Sequence, residues 1–226
     1  MLFETLETRN LFSVCAVHSE PAPSTPVPDL AVVADEKQVD AALLLIAKDD
    51  CTFSRTLCAD WKALFKDGLT GDTTLAPLFQ QLQADSSSME NDLKADRQAE
   101  ATVVAADQSA IRTDEMQICK DKHNPTALAA DQAALLAGRI QLQNDEIFAN
   151  DASLTSLQTD ENTIAGDLGA IVGALAGDTT ASPKLSADVT KFRNDKFTAM
   201  NGMASDLLGL ITARANLVGD LMALQT

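Results

Sequence analysis

The chain has 226 residues, 46% of them hydrophobic and only 4% aromatic, with one Trp and no Tyr; that length supports one sizeable core, and that mix suits helices packed through small and aliphatic side chains better than a sandwich or barrel. Acidic residues outnumber basic ones 33 to 17, a net charge of −16, which repels phosphate backbones and anionic headgroups and leaves nucleic acid out of the expected partners. No run approaches the roughly 20 apolar residues needed to cross a bilayer, so stable membrane insertion is not expected either.

The N-terminal segment, residues 1–19, carries Leu6-Glu7-Thr8-Arg9-Asn10-Leu11-Phe12-Ser13. This stretch resembles the LEPR-XLL motif, an N-terminal tag of many large surface or exported proteins of planctomycetes and related bacteria. Leu6, Glu7, Arg9 and Leu11 stand where the motif has them, while Thr8 replaces its Pro and Phe12 its last Leu. The resemblance implies sorting to the cell surface or the exterior; without it the expected location is the cytoplasm. An ordinary secretion signal fits poorly, because Glu4 and Glu7 sit where positive charge is expected and the apolar run after Asn10 is short. Residues 20–30 follow, with four prolines in "EPAPSTPVPD", and read as an extended linker to a bundle expected over 31–226.

Four long helices are predicted, at about 35–67, 74–122, 126–176 and 183–225. Asp35 with Gln38 makes a capping pair for the first and Gly68 its stop. His123-Asn124-Pro125 ends the second, and Ser182-Pro183, a cap followed by Pro in the first turn, opens the fourth. "GDTTLAP" (71–77) and "GDTTASP" (177–183) share Gly-Asp-Thr-Thr and a following Pro, and each precedes a long helix, so both read as one stop-and-restart device. Short connections force antiparallel neighbours. The expected fold class is therefore all-α, an elongated antiparallel up-down four-helix bundle with coiled-coil-like packing.

The third helix has the clearest periodicity. One seam runs Ala133, Ile140, Ile147, Leu154, Glu161, Leu168, Leu175, and the other Ala129, Leu136, Gln143, Asn150, Leu157, Ile164, Ile171, at alternating spacings of three and four. The second helix drifts instead in steps of eleven, as in Leu82, Leu93 and Val104, which favours straighter packing. Counting residues outward from the turns places Arg214 between the levels of Gln143 and Asn150, with Glu100 and Asp107 in the same layer. A buried polar layer of Arg214 with Glu100 or Asp107 is predicted, together with a Glu161–Lys196 pair; such layers fix register at some cost in stability.

Catalytic chemistry finds no residues to stand on. A carboxylate-bridged di-metal bundle needs Glu-x-x-His pairs facing inward, and the two histidines are His18, before the linker, and His123, in a turn. Glu115, Cys119 and His123 are spaced by four, but ligands at a helix end more often bind nothing. There is no Walker A sequence, no dinucleotide glycine fingerprint and no nucleophile with a histidine partner. The reading is non-enzymatic, with no cofactor or metal.

In a continuous helix Cys51 and Cys58 would lie about 10 Å apart, beyond disulfide reach. The intervening "TFSRTL" could break the helix and close the pair; otherwise the thiols stay free. "GAIVGALAG" places Gly169, Gly173 and Gly177 at the spacing that allows close approach of two helices. Packing against the fourth helix is expected there, with membrane insertion in the manner of helical pore-forming toxins as the alternative. Residues 111–134 should project beyond the shorter first helix and are the expected partner-binding tip. The function expected is a structural or protein-binding role at the cell surface, the partner being another protein or a second copy. The alternatives are a pore-forming or lipid-interacting bundle and an intracellular coiled-coil scaffold.

Overall fold

Hydrophobic periodicity with few internal breakers yields four helices in the computed structural model, which describes residues 30–67, 69–178 and 182–225. The N-terminal segment with Leu6, Glu7, Arg9, Leu11 and Phe12, and all of the proline-rich stretch but Leu30, lie outside the described residues. The helices are α1 (Leu30–Lys66), α2 (Leu75–Asp121), α3 (Pro125–Gly177) and α4 (Pro183–Ala223), with a single 3-10 turn at Leu69–Gly71 between α1 and α2. No strand is present among the described residues. At 1.5 Å per residue α3 spans about 80 Å and α1 about 55 Å, so the four-helix bundle is a rod.

The helix ends follow from local chemistry. Asp72 of the first Gly-Asp-Thr-Thr accepts hydrogen bonds from the backbone N–H groups of Thr74 and Leu75, both at 2.8 Å, and so caps α2. At the second, Asp178 closes α3, its N–H donating to the Leu175 carbonyl, and Ser182 caps α4 with Pro183 in the first turn. The shared sequence thus serves two different junctions. Asn124 accepts from the Ala127 N–H and starts α3 at Pro125. α1 begins more than a turn before the expected Asp35, because Val32 is buried against α4 and α3 side chains and packing carries the helix outward. The Asp35–Gln38 contact forms, at 2.8 Å, but inside the helix rather than at its cap.

α2 lies along α3, α4 along α1 and α3 along α4. α1 and α2 meet through side chains, with Arg97 Nη2 donating to Asp50 Oδ2 at 3.1 Å and Trp61 set edge-on to Phe79 at 5.7 Å between centroids. The apolar interior falls into two parts. One, next to the α1–α2 and α3–α4 connections, contains Leu64, Leu75, Phe79, Leu82, Met89, Leu157, Ile164, Leu168, Ile171, Leu185, Val189, Phe192 and Met200. The other, at the opposite end of α1 and α4, contains Val32, Val39, Leu210, Ala213, Leu217 and Leu221 with Leu136 and Ile140 of α3 beside them. Beyond this second part the α2–α3 hairpin runs on alone: between Ile111 and Leu136 no residue is buried.

Two expectations are corrected by the packing. α1 runs unbroken through "CTFSRTLC", because the Thr52 and Thr56 hydroxyls donate to the carbonyls of Lys48 and Thr52 one turn back and leave the helix intact. Cys51 and Cys58 therefore stay two turns apart as exposed free thiols, and the disulfide is not made. Gly169, Gly173 and Gly177 do not pack against α4; all three face open space, where an added Cβ would touch nothing. The close approach occurs at Gly202, where a Cβ would lie 2.5 Å from the tip of the Phe53 ring. Replacing Gly173 by Ala is expected to raise stability by about 0.5–1 kcal/mol through helix propensity alone. Gly202→Ala should not repeat that gain, since the Phe53 ring must swing aside; urea unfolding of the two variants checks the contrast.

Candidate functional site: a polar layer inside the rod

Between the two apolar parts α3 turns polar residues inward. Gln143, Glu146, Asn150 and Ser153 are all buried, one helical turn after another, and Arg214 of α4 is only 2% exposed. Arg214 Nη1 donates to the Glu146 carboxylate and, at 3.1 Å, to Gln143 Oε1. Asn150 Nδ2 donates back to the Glu146 carbonyl at 2.5 Å, holding its own side chain against α3. Glu100 enters from α2: burial raises its carboxyl above the usual range, while Arg214 and Arg97 pull it down. Both bonds leave Nη1, so one corner of the guanidinium serves a carboxylate and an amide, with the Glu100 carboxyl close enough to feel its charge.

The predicted layer is thus present with a different partner. Arg214, Gln143, Asn150 and Glu100 come together, but the carboxylate that binds Arg214 is Glu146. Sequence counting missed it because Glu146 lies between the two α3 seams; the buried stripe follows mainly one of them, through Gln143, Asn150, Leu157, Ile164 and Ile171, and is widened by Glu146, Ser153 and, from the other seam, Leu168. On the other seam Ile147, Leu154 and Glu161 are half-buried. Asp107 is not in the layer. It faces Asp145 of α3, and burial together with that like charge raises its carboxyl.

The Glu161–Lys196 pair does not form. Lys196 is buried in α4, burial lowers its ammonium below the ordinary value, and the acid that partly offsets this is Glu90 of α2 rather than Glu161. Level on the rod was counted correctly for these two residues, but not the direction in which each side chain leaves its helix. Among the described residues no carboxylate reaches the Lys196 ammonium within ion-pair distance. Lys196→Met, which keeps the aliphatic stem and removes the charge, is expected to stabilise the fold by about 1–3 kcal/mol. The gain should shrink as pH rises toward the lysine range, because a depressed ammonium penalises the native state below that range and the penalty is lost once the wild-type amine is neutral.

Near the hairpin tip, Glu115 is raised by burial and pulled back by Arg139 and Arg112, so it faces cations rather than a shared site with Cys119 and His123. Among the described residues no group of three His, Cys, Asp or Glu is arranged to hold a metal ion. Known proteins offer no guide. Family models, curated proteins and solved structures give no match to this chain.

Proposed function

We propose that the chain is a non-enzymatic, rod-shaped helical module, exported and acting at the cell surface in a structural or protein-binding role, with coiled-coil-like helix packing. The observation that carries this reading is the uncovered α2–α3 tip. α1 and α4 stop near Leu136, and the 24 residues from Arg112 to Leu135 hold no buried side chain. Three basic and four acidic side chains stand there, in a chain whose overall charge is −16, so the tip opposes the approach of another acidic protein or of a second copy only weakly. The ionic layer supports the same reading, because a buried charge pair in a long bundle serves register rather than stability. The stretch Leu6 to Ser13 supplies the location.

A pore-forming role draws no support from Gly169, Gly173 and Gly177, which lie on the solvent face, and among the described residues no helix is long and apolar enough to cross a membrane. Fractionation of the native host, with mass spectrometry of the mature N-terminus, tests the proposal. Recovery from the surface or medium, trimmed before the proline-rich linker, is the expected result. An intact chain confined to the cytoplasm would remove the export reading and leave an intracellular scaffold.

A further inference from the structure

The two long helix pairs set aspartates opposite aspartates. Across α2 and α3, Asp85 faces Asp167, Asp92 and Asp96 face Asp160, Asp107 faces Asp145, and Asp121 with Asp114 faces Asp131. Across α1 and α4, Asp35 faces Asp220, Asp49 and Asp50 face Asp206, Asp60 faces Asp195, and Asp67 faces Asp188. Each set keeps one register: the steps from Asp85 to Asp92, Asp107 and Asp121 along α2 equal those from Asp167 to Asp160, Asp145 and Asp131 along α3. The same equality holds between α1 and α4. Like charges therefore recur at the same edge of an antiparallel interface, level after level, which scattered surface acids would not do.

Apart from Asp35, where the charge that acts is that of Asp220 alone, the two interfaces differ in what relieves the charge. On α1 and α4, Lys191 bridges Asp60 and Asp195, Lys184 holds Asp67 at 2.5 Å, and Arg97 of α2 reaches Asp50. On α2 and α3, only acids act on Asp167, Asp160, Asp107 and Asp131. One carboxylate oxygen of each of these four, and of Asp96, is closed off from solvent and meets no donor, as is one of Asp60 and one of Asp188 across the other pair. An ionised carboxylate only accepts; two facing carboxylates have a hydrogen to share only when one is protonated.

We propose that the α2–α3 interface is a proton-operated clamp. A facing pair that takes up a proton on acidification ties the two helices through a carboxyl–carboxylate hydrogen bond, and a pair that loses it as pH rises is doubly charged and pushes the hairpin apart. The acid–base behaviour of the groups agrees in direction. Burial first and the facing Asp85 second push Asp167 up to about 6, and burial followed by facing acids raises Asp160, Asp107 and Asp131. A carboxyl raised in the native state contributes stability that is complete below the ordinary carboxylate range and is lost as pH rises through its native value, about 6 for Asp167. Asp35, Asp60, Asp188, Asp206, Glu100 and Glu115 shift the same way. Asp67 and Asp195, held down by hydrogen bonds that include their lysines, oppose this only in stronger acid, and Lys196 only toward the alkaline side.

The test is a carboxyl-carbon NMR titration of the full chain, with urea unfolding between pH 5 and 8 in high salt to suppress the general repulsion of the −16 surface. Asp167 is expected to titrate at about 6, against about 4 for an aspartate in water, and the urea midpoint to rise as pH falls from 8 to 5. Asp85→Asn supplies Asp167 with a permanent donor; it should return Asp167 toward the ordinary range and reduce the pH response. Asp151→Asn is the control, since Asp151 is exposed on α3 and the register sets Ala101 of α2 at its level; it should change neither readout. Asp167 titrating in the ordinary aspartate range in the wild-type chain, or a urea midpoint that stays level or falls between pH 8 and 5, would overturn the clamp.

Discussion

Arg214→Ala is expected to destabilise the protein by about 3–5 kcal/mol, the largest loss of any single polar substitution in the chain. The reason is less the attraction removed than the charges left behind. Glu146, 6% exposed, would lose its guanidinium, Gln143 would lose its donor, and Glu100 would lose the nearest cation that draws its carboxyl down. Glu146 would then be a buried acid without its cation, beside a half-buried Glu100 whose carboxyl burial already raises. The double variant Arg214→Met/Glu146→Leu separates the two effects. It removes both charges with similar volume, and its stability should equal or exceed wild type, since water no longer has to be stripped from either ion. Urea unfolding of the single and double variants at one pH measures the difference, and a double variant as weak as Arg214→Ala would contradict the account.

Phe79→Ala is the second large effect, at about 3–5 kcal/mol. Phe79 is 2% exposed and stands between Trp61 of α1, at 5.7 Å between ring centroids, and Phe192 of α4, at 6.1 Å. Trp61 in turn meets Phe65 and Phe192 at 5.6 and 5.5 Å. These edge-on and tilted ring contacts contribute beyond area burial, and the Trp61–Phe79 contact is an apolar link between α1 and α2. Truncation should leave a cavity at the connection end and open Trp61 to quenchers, so tryptophan fluorescence reports on it alongside unfolding. An exposed aromatic such as Phe148, 78% exposed on α3, gives the control: its replacement by Ala should change stability by under about 0.5 kcal/mol.

Breakers and caps made the architecture legible. Pro125 and Pro183, each behind an Asn or Ser cap, mark the starts of α3 and α4 because they fix the backbone and lack a donor the first turn does not need. The presence of a polar layer was legible as well, since Gln143 and Asn150 interrupt an apolar seam at heptad spacing and must bury something polar. Its partners were not. Residue counting gives height along a rod, whereas pairing also needs the angle at which a side chain leaves its helix, and a residue or two of shift in the α2–α3 turn moves Asp107 from Arg214 to Asp145. Glu146 was hidden because an acid between two seams is ordinarily solvated; only the three-dimensional stripe shows it turned inward. The glycines misled for a related reason. Spacing of four marks one face of a helix without saying which face, and Gly169, Gly173 and Gly177 proved to be on the outside.

The facing aspartates had no individual signature at all. Each looks like one more surface acid in an acidic chain, and only the antiparallel register reveals that they meet in pairs. Register is also what joins the ionic layer, the uncovered tip and the acid-lined hairpin into one account, because all three depend on α2 and α3 outrunning α1 and α4 along a single axis.

Small-angle X-ray scattering of the full chain tests that geometry most directly. A rod about 80 Å long and of helix-bundle width has a radius of gyration of about 24 Å, before any contribution from residues 1–29. A compact globule of this chain length would give about 17 Å. A value at or above the rod figure, with a cross-section matching four helices, is the expected result, and a value at the globule figure would contradict the account.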